Sequence, residues 1–368
     1  MKVIHILNEL KFSGAEIMYV SAAKEFAKMG CELTVVNTGA NLGEYAVQFE
    51  KAGYEVLHWP YNPKNISDKI AYTKEVIGFL KSNAFDVVHI HTGHLLFLMS
   101  FSAWRANCKI VYTFHNVYPT RWFSYPLHLS LRWIIKNILG CKYHTISDSV
   151  YEHEKRLYLN NTHKINNWYN SATFYPAADF EKTTIRKQLG ISEDALVVIS
   201  IGGCSHIKRH SDIISAMPVI REKYPNTLYL HLGEGSTLQE EQGQAKDLGL
   251  KEHIRFEGNQ TDVRKYLIAS DIYVMPSKFE GISLTTIEAM VCEIPAVLYD
   301  VPGLRDFNKT VTCAKIIPED YQELASAIIE LHENISEQQL LVTNGKVFVD
   351  REFNMAINAK KIVELYLE

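Results

Sequence analysis

Two carboxylates flank a glycine turn in the stretch Ser277-Lys278-Phe279-Glu280-Gly281-Ile282-Ser283-Leu284-Thr285-Thr286-Ile287-Glu288. The apolar run Ile272-Tyr273-Val274-Met275 ahead of it, closed by Pro276, has the length and β-branched content of a buried strand, and the segment after Gly281 reads as a helix. Strand end, glycine turn and helix N-terminus in that order gather free backbone N–H groups and the positive end of a helix dipole, which favours a phosphate. Gly281, Ile282, Ser283 and Leu284 are therefore candidate phosphate ligands through their amides. Each glutamate also has a plainer reading. Thr285-Thr286-Ile287-Glu288 fits a capping box in which Glu288 reaches back to the Thr285 amide, and Glu280 fits a solvated loop residue.

Two further glycine turns precede helix-like segments. The strand-like Val197–Ile201 runs into Gly202-Gly203-Cys204-Ser205-His206-Ile207-Lys208-Arg209-His210, where a glycine turn with a lysine before a helix suits a phosphate. Asn8-Glu9-Leu10-Lys11-Phe12-Ser13-Gly14-Ala15-Glu16 comes after the first strand; Gly14 fits a phosphate approach or an ordinary helix start. Neither turn is the Gly-x-Gly-x-x-Gly dinucleotide fingerprint, which argues against a dehydrogenase. His91 and His115 each come directly after a strand-like run, and an imidazole there could donate to a hydroxyl or to charge developing in a reaction.

The elements that must position these residues alternate. Strand-like runs appear at Val3–Leu7, Leu33–Asn37, Glu55–Trp59, Asp86–Ile90, Ile110–Phe114 and Tyr143–Ile146, separated by segments such as Met18, Ala22, Phe26 and Met29 with helical apolar spacing. The second half repeats the pattern, which is that of parallel sheets covered on both faces, with ligands at the C-terminal strand ends. A chain of 368 residues fits two domains. Apolar residues at 47% and charged residues at 22% are those of a globular protein. The N-terminus lacks a signal peptide's apolar core, and no segment is long enough to span a bilayer, so a cytoplasmic protein is expected. Six scattered cysteines without a Cys-x-x-Cys pair predict buried thiols, with neither a disulfide framework nor a zinc site. His89 and His91 share a strand face, but no third metal ligand is evident.

Charge is uneven. The net charge is −4, yet from Val87 to Ser147 the chain carries Arg105, Lys109, Arg121, Arg132, Lys136 and Lys142 and no Asp or Glu. That predicts either an anionic partner, such as acidic lipid or a diphosphate-bearing acceptor, or side chains scattered over several faces. The basic and aromatic Arg121-Trp122-Phe123-Ser124-Tyr125-Pro126-Leu127 suits a membrane surface or an acceptor, or an aromatic core. No motif supports nucleic acid.

Phe279-Glu280-Gly281-Ile282-Ser283-Leu284, with Glu288-Ala289-Met290 and Ile294-Pro295-Ala296-Val297 after it, closely resembles the signature of glycosyltransferase family 4. The resemblance implies a glycosyltransferase B fold: α/β, with two Rossmann-like domains facing a central cleft. Residues 1–170 would form an acceptor-binding domain, 171–350 a nucleotide-sugar-binding domain, and 351–368 a helix crossing back to the first. It implies that Glu280 contacts the donor sugar and Glu288 the ribose. Ser13-Gly14-Ala15-Glu16 resembles the family's Gly-Gly-Ala-Glu, Thr113-Phe114-His115 its Thr-x-His, whose histidine lies near the reacting sugar, and Gly258-Asn259 the loop against the base. Gly202 to Lys208 resembles Gly-Arg-Leu-x-x-x-Lys, with Lys208 neutralising the donor diphosphate. Gly203 stands where the arginine would be, leaving Arg209 to compensate or fewer cations to serve. Glu280, His115 and Lys208 are thus the expected catalytic groups. The expected activity is retaining, metal-independent transfer of a hexosyl or N-acetylhexosaminyl group from a nucleotide-diphosphate sugar, UDP-sugars being the commonest such donors, to a lipid-linked or growing-polysaccharide acceptor in cell-surface glycan synthesis. No cofactor is expected, since the nucleotide-sugar is a substrate. The setting would be cytoplasmic or peripheral on the inner face of the membrane. A nucleotide-sugar epimerase or phosphorylase of the same fold, or a binding module without turnover, are the alternatives.

Overall fold

The computed structural model describes residues 1–117 and 125–368. Arg121, Trp122, Phe123 and Ser124 of the basic, aromatic stretch lie outside the described residues. The chain divides into two compact units, one of Met1–Asn170 with Asn354–Glu368 and one of Ser171–Phe353.

The first unit is a parallel sheet in the order β3-β2-β1-β4-β5-β6-β7, from β1 (Lys2–Leu7), β2 (Glu32–Asn37), β3 (Glu55–His58), β4 (Val87–Ile90), β5 (Lys109–Phe114), β6 (Lys142–Thr145) and β7 (His163–Lys164). The second orders its strands β10-β9-β8-β11-β12-β13, from β8 (Val197–Ile201), β9 (Leu228–Leu232), β10 (Ile254–Gly258), β11 (Ile272–Met275), β12 (Ala296–Tyr299) and β13 (Lys315–Ile317). Helices cover both faces, so β4, β8, β9, β11 and β12 are buried along their whole length; β11 and β12 read as unbroken apolar runs, and β4, β8 and β9 carry one polar residue each, His89, Ser200 and His231. In both sheets the order reverses beside the first strand, between β1 and β4 and between β8 and β11. That reversal opens a crevice at the C-terminal strand ends. The last helix, Met355–Leu367, packs in the first unit, where the Tyr366 hydroxyl lies 2.6 Å from His89 Nδ1.

The acid-free interval does not make an acid-free surface. Arg132 forms a two-pronged pair with Glu154 at 2.9 and 3.0 Å and lies over the Tyr158 ring. Lys142 pairs with Glu368, Lys109 donates to the Leu367 carbonyl, and Lys136 donates to Asn160 and Asn161. The acids arrive from helix Asp148–Tyr158 and the last residue, beyond the interval in sequence but adjacent in space. Because Glu154 is almost fully buried, removing its partner strands a charge. Arg132→Ala is expected to cost about 3–5 kcal/mol of stability, read by denaturant titration, and an unchanged midpoint would contradict this. All six cysteines are free and buried. Among the described residues no helix is long and apolar enough to cross a membrane.

Candidate functional site

The crevice between β8 and β11 gathers most of the residues singled out in the second unit. Lys208 comes from the loop after β8 and Glu280 from the loop after β11, and Lys208 Nζ lies 2.7 Å from Glu280 Oε1. Ser277 Oγ donates to the same carboxylate oxygen at 2.7 Å. The loops are tied by the backbone as well, since the Lys278 amide donates to the Ile207 carbonyl. Glu280 is thus a buried, paired carboxylate at 8% exposure, which corrects the solvated-loop reading. The ammonium and carboxylate hold each other in a half-dry crevice, where an anionic ligand can take the ammonium and a hydroxyl-bearing one the carboxylate.

Glycines shape this crevice. Gly202 packs along the Lys208 stem, and a Cβ there would meet Cε at 3.4 Å, an ordinary contact. A Cβ on Gly203 would lie 3.1 Å from the Glu234 carbonyl oxygen, so an arginine there needs that neighbour to yield. Gly258 has φ +66° and backs onto the Glu234 side chain, with the exposed Asn259 beyond it. Gly303, which the sequence did not mark as a site residue, has φ +81° and lies against the Glu280 backbone; an added Cβ would collide with the Glu280 carbonyl oxygen. The Glu280 amide donates to Pro302 in the same loop. Gly303→Ala is therefore expected to displace Glu280, costing about 1–3 kcal/mol in backbone strain and most of the activity. A variant with wild-type melting and turnover would sink this reading of the loop.

Helix Leu284–Val291 begins where the sequence places it, but with a different cap. Ser283 is the N-cap and accepts from the Thr286 amide at 3.2 Å. Glu288 therefore sits in the fifth helical position, too far along to reach back, and the Thr285–Glu288 capping box does not form. Its carboxyl has no hydrogen-bond or ion-pair partner among the described residues, and burial pushes its pKa up to about 8. The amides of Ile282, Ser283, Leu284 and Thr285 have no acceptor among the described residues, and Gly281 precedes them in the turn. This leaves a carboxyl without a partner close to a helix N-terminus with free donors, the arrangement a ligand carrying both hydroxyls and phosphate would complete.

Arg209 does not take the place of the missing arginine. It adopts φ +52° at the start of helix His210–Lys223, and its guanidinium pairs with Asp212 at 2.7 Å and Glu319 at 2.6 Å beside the Tyr299 ring. An arginine neutralised by two carboxylates has little charge left for a diphosphate.

In the first unit Gly14 opens helix Gly14–Lys28, with Ser13 at the N-cap donating to Glu16. His115 Nε2 lies 2.9 Å from His91 Nδ1, and His91 Nε2 lies 3.0 Å from His5 Nδ1. Burial lowers His115 to about 3, so its imidazole is neutral at pH 7. These links were invisible in sequence because the His5–His91 contact depends on β1 pairing with β4, which sets His5 opposite His89, and the His91–His115 contact on β4 pairing with β5. Among the described residues two groups of side chains could hold a metal ion: His5, His89 and His91, and Cys204, His210, His231 and Glu241. Neither group shows as a spacing in the sequence: the first meets across β1 and β4, and the second joins the loop after β8, helix His210–Lys223, β9 and helix Leu238–Asp247.

Known proteins match along the whole chain. Residues 181–348 fit the family described as glycosyl transferases group 1, and residues 12–202 fit glycosyltransferase family 4. A putative glycosyltransferase of Bacillus subtilis, EpsD, is 27% identical over 77% of this chain and 75% of its own. The O-antigen biosynthesis glycosyltransferase WclY of Escherichia coli is 23% identical over 82% of this chain and 81% of its own. The crystal structure of Anabaena HepE in complex with UDP-glucose superposes with a TM-score of 0.85 at 19% identity, covering 99% of both chains, which establishes a shared fold. Because the second family match alone spans more than half of the sequence, the protein belongs to glycosyltransferase family 4.

Proposed function

We propose that this glycosyltransferase moves a sugar, with retention of configuration and without a catalytic metal, from a nucleoside-diphosphate sugar bound in the crevice between β8 and β11. The observation that carries the reading is the Lys208–Glu280 pair, held at 2.7 Å across the two loops of that crevice. When donor binds, Lys208 exchanges Glu280 for the diphosphate, and Glu280, still held by Ser277, accepts from the sugar hydroxyls. Glu288 accepts from the ribose hydroxyls. As the bond from the sugar to the diphosphate breaks, negative charge grows on the leaving oxygen, where Lys208 and the amides of Gly281, Ile282, Ser283 and Leu284 stabilise it. Gly202 and Gly203 follow β8 beside Lys208, and Gly258-Asn259 lie at the C-terminal end of β10 in the same sheet. Arg209 is left out of this assignment. His115 is assigned as a neutral donor to substrate hydroxyls or to the charge developing on them, and Gly14 as the helix start that lets backbone approach the phosphates. Retention follows from front-face attack by the acceptor, since no carboxylate is assigned as a nucleophile.

The donor is proposed to be a UDP-sugar, as the UDP-glucose of the Anabaena structure is, and the acceptor a lipid-linked or growing polysaccharide, a reading supported by the O-antigen biosynthesis in the Escherichia coli relative's name only as far as a glycan acceptor. The first unit offers support for a lipid-bearing acceptor in apolar form: Leu127, Trp133 and Ile138 of one helical region and the adjacent Leu157 and Leu159 are exposed. A groove of about 670 Å³ lies among them, lined in part by Leu129, Trp133, Ile134 and Leu159. Peripheral attachment to the inner membrane face would use this surface, and vesicle flotation is expected to persist in high salt, because apolar contact is not screened. No flotation with anionic or neutral vesicles would remove the membrane from the proposal.

The nucleotide is tested by melting temperature against UDP, GDP, ADP and CMP, with and without Mg²⁺. A ligand that binds only the folded state raises it, and a metal-independent shift with UDP is expected. No shift with any nucleotide would overturn the donor assignment. Bound donor without nucleotide release in the presence of acceptor would indicate a binding module.

A further inference from the structure

We propose that Cys204, His210, His231 and Glu241 form a structural zinc site in the second unit. The sequence conceals it, because the four residues come from three elements and a loop. Cys204 and His210 bracket the loop that carries Lys208, His231 lies on β9, and Glu241 on helix Leu238–Asp247. All four side chains are buried, His210 and His231 completely, and their ligand atoms all lie within 4.8 Å of one another.

Hydrogen bonding does not account for the arrangement. His231 Nε2 lies 2.8 Å from His210 Nδ1, 3.1 Å from Cys204 Sγ and 3.3 Å from Glu241 Oε2. A neutral ring nitrogen either carries one proton or offers one lone pair, so it can satisfy one of these neighbours and not three. Thr237 donates to Glu241 Oε1 at 2.7 Å and fixes the carboxylate, yet Oε2 receives no hydrogen bond. Four lone-pair-bearing atoms converging in a dry interior, with a buried carboxylate oxygen left over, call for a cation at their centre.

The donor set names the cation. Two imidazoles, a thiolate and a carboxylate suit Zn²⁺ in a tetrahedron with bonds of about 2.0–2.3 Å; to accept it the two histidine nitrogens, now 2.8 Å apart, open, and Glu241 Oε2, now 4.0 Å from His210 Nδ1, closes in. Charge balances too: binding expels the thiol proton, and thiolate plus carboxylate cancel the two positive charges, so the filled site is neutral where charge is costly. With four protein ligands there is no open position, which makes the site structural. The ion pins both ends of the Ser205–Arg209 loop to β9 and its neighbouring helix, whether or not that loop holds a diphosphate. The other histidine group differs. His89 uses both ring nitrogens on Tyr366 and Thr113, and His91 uses both on His5 and His115, so only His5 Nε2 is left without a partner there and no carboxylate or thiol joins it.

The test uses the full chain purified without a polyhistidine tag, with zinc measured by mass spectrometry and cobalt as a spectroscopic probe. About one zinc per chain is expected. The cobalt form should show a tetrahedral spectrum with a thiolate charge-transfer band that disappears in Cys204→Ser. Chelation should lower the melting temperature of the wild type and leave the Cys204→Ser/Glu241→Gln variant unmoved. Glu241→Gln alone preserves shape and the Thr237 contact, so it keeps the test decisive if the cysteine variant misfolds; it should bind zinc at least tenfold more weakly. Wild-type protein that carries no zinc and takes up no cobalt in titration would overturn the site, as would undiminished zinc in the double variant.

Discussion

Lys208→Ala is expected to lower kcat/KM for sugar transfer by roughly a hundred- to a thousandfold, the range for losing a preorganised group that meets developing charge. The loss should fall on kcat as well as on donor affinity, because the ammonium meets more charge on the leaving diphosphate than on the bound donor. The same change strips the partner from Glu280, which is buried and otherwise held by Ser277. Lys208→Ala is therefore also destabilising, and the double variant Lys208→Ala/Glu280→Gln separates the two effects: stability should recover while turnover stays low. Glu280→Ala alone should cost ten- to a hundredfold, about 1.5–3 kcal/mol of charge-assisted hydrogen bonding. Lys208→Ala with near-normal kcat would remove the lysine from the chemistry.

A donor affinity that climbs with pH is the second large effect. Glu288 has its pKa raised by burial to about 8, while in the unfolded chain it titrates near 4.3. Between those values the folded protein holds a proton that the unfolded chain has lost, so this group's stabilising contribution is full below about pH 4 and is lost as pH rises towards 8. Glu288→Gln should accordingly raise the melting temperature at pH 8 more than at pH 5. Ribose hydroxyls donate best to the ionised carboxylate, so donor binding expels the proton. Affinity for a UDP-sugar, whose diphosphate is esterified at both ends and does not titrate in this window, should then rise between about pH 6 and 8. The slope can approach but not exceed tenfold per unit for one proton. In Glu288→Gln the slope should vanish and the affinity fall. A pH-independent wild-type affinity would mean that Glu288 does not face the nucleotide.

Legibility in the sequence divides along the distance over which a residue finds its partner. The alternation of buried strands and helices was readable because parallel strands covered on both faces leave nearly unbroken apolar runs, as in β11 and β12. The final helix, Met355–Leu367, falls within the 351–368 segment for which the resemblance implied one. The glycine turns were readable because a strand end meeting a helix start is local. Partners supplied by another element were not: Glu280 finding Lys208 across the crevice, Gly303 fitting beneath Glu280, and Arg209 spent on Asp212 and Glu319. The capping box failed for a local reason. Ser283 and Thr285 both suit an N-cap, and the earlier one wins in the structure, which leaves Glu288 free of a capping duty. The metal-type cluster shows the limit most plainly, since Cys204, His210, His231 and Glu241 share no spacing and meet only after the second sheet forms. The basic interval misled in the opposite sense, because its counter-charges lie just outside it.

Whether the crevice between β8 and β11 holds a nucleoside diphosphate through Lys208 is tested most directly by calorimetric titration of UDP and of uridine into wild type and Lys208→Ala. UDP is expected to bind the wild type and to lose roughly ten- to a hundredfold in affinity for the variant, as for one charge-assisted contact, while the affinity for uridine, which has no phosphate, is unchanged. UDP binding of equal strength to both proteins would contradict a diphosphate held by Lys208.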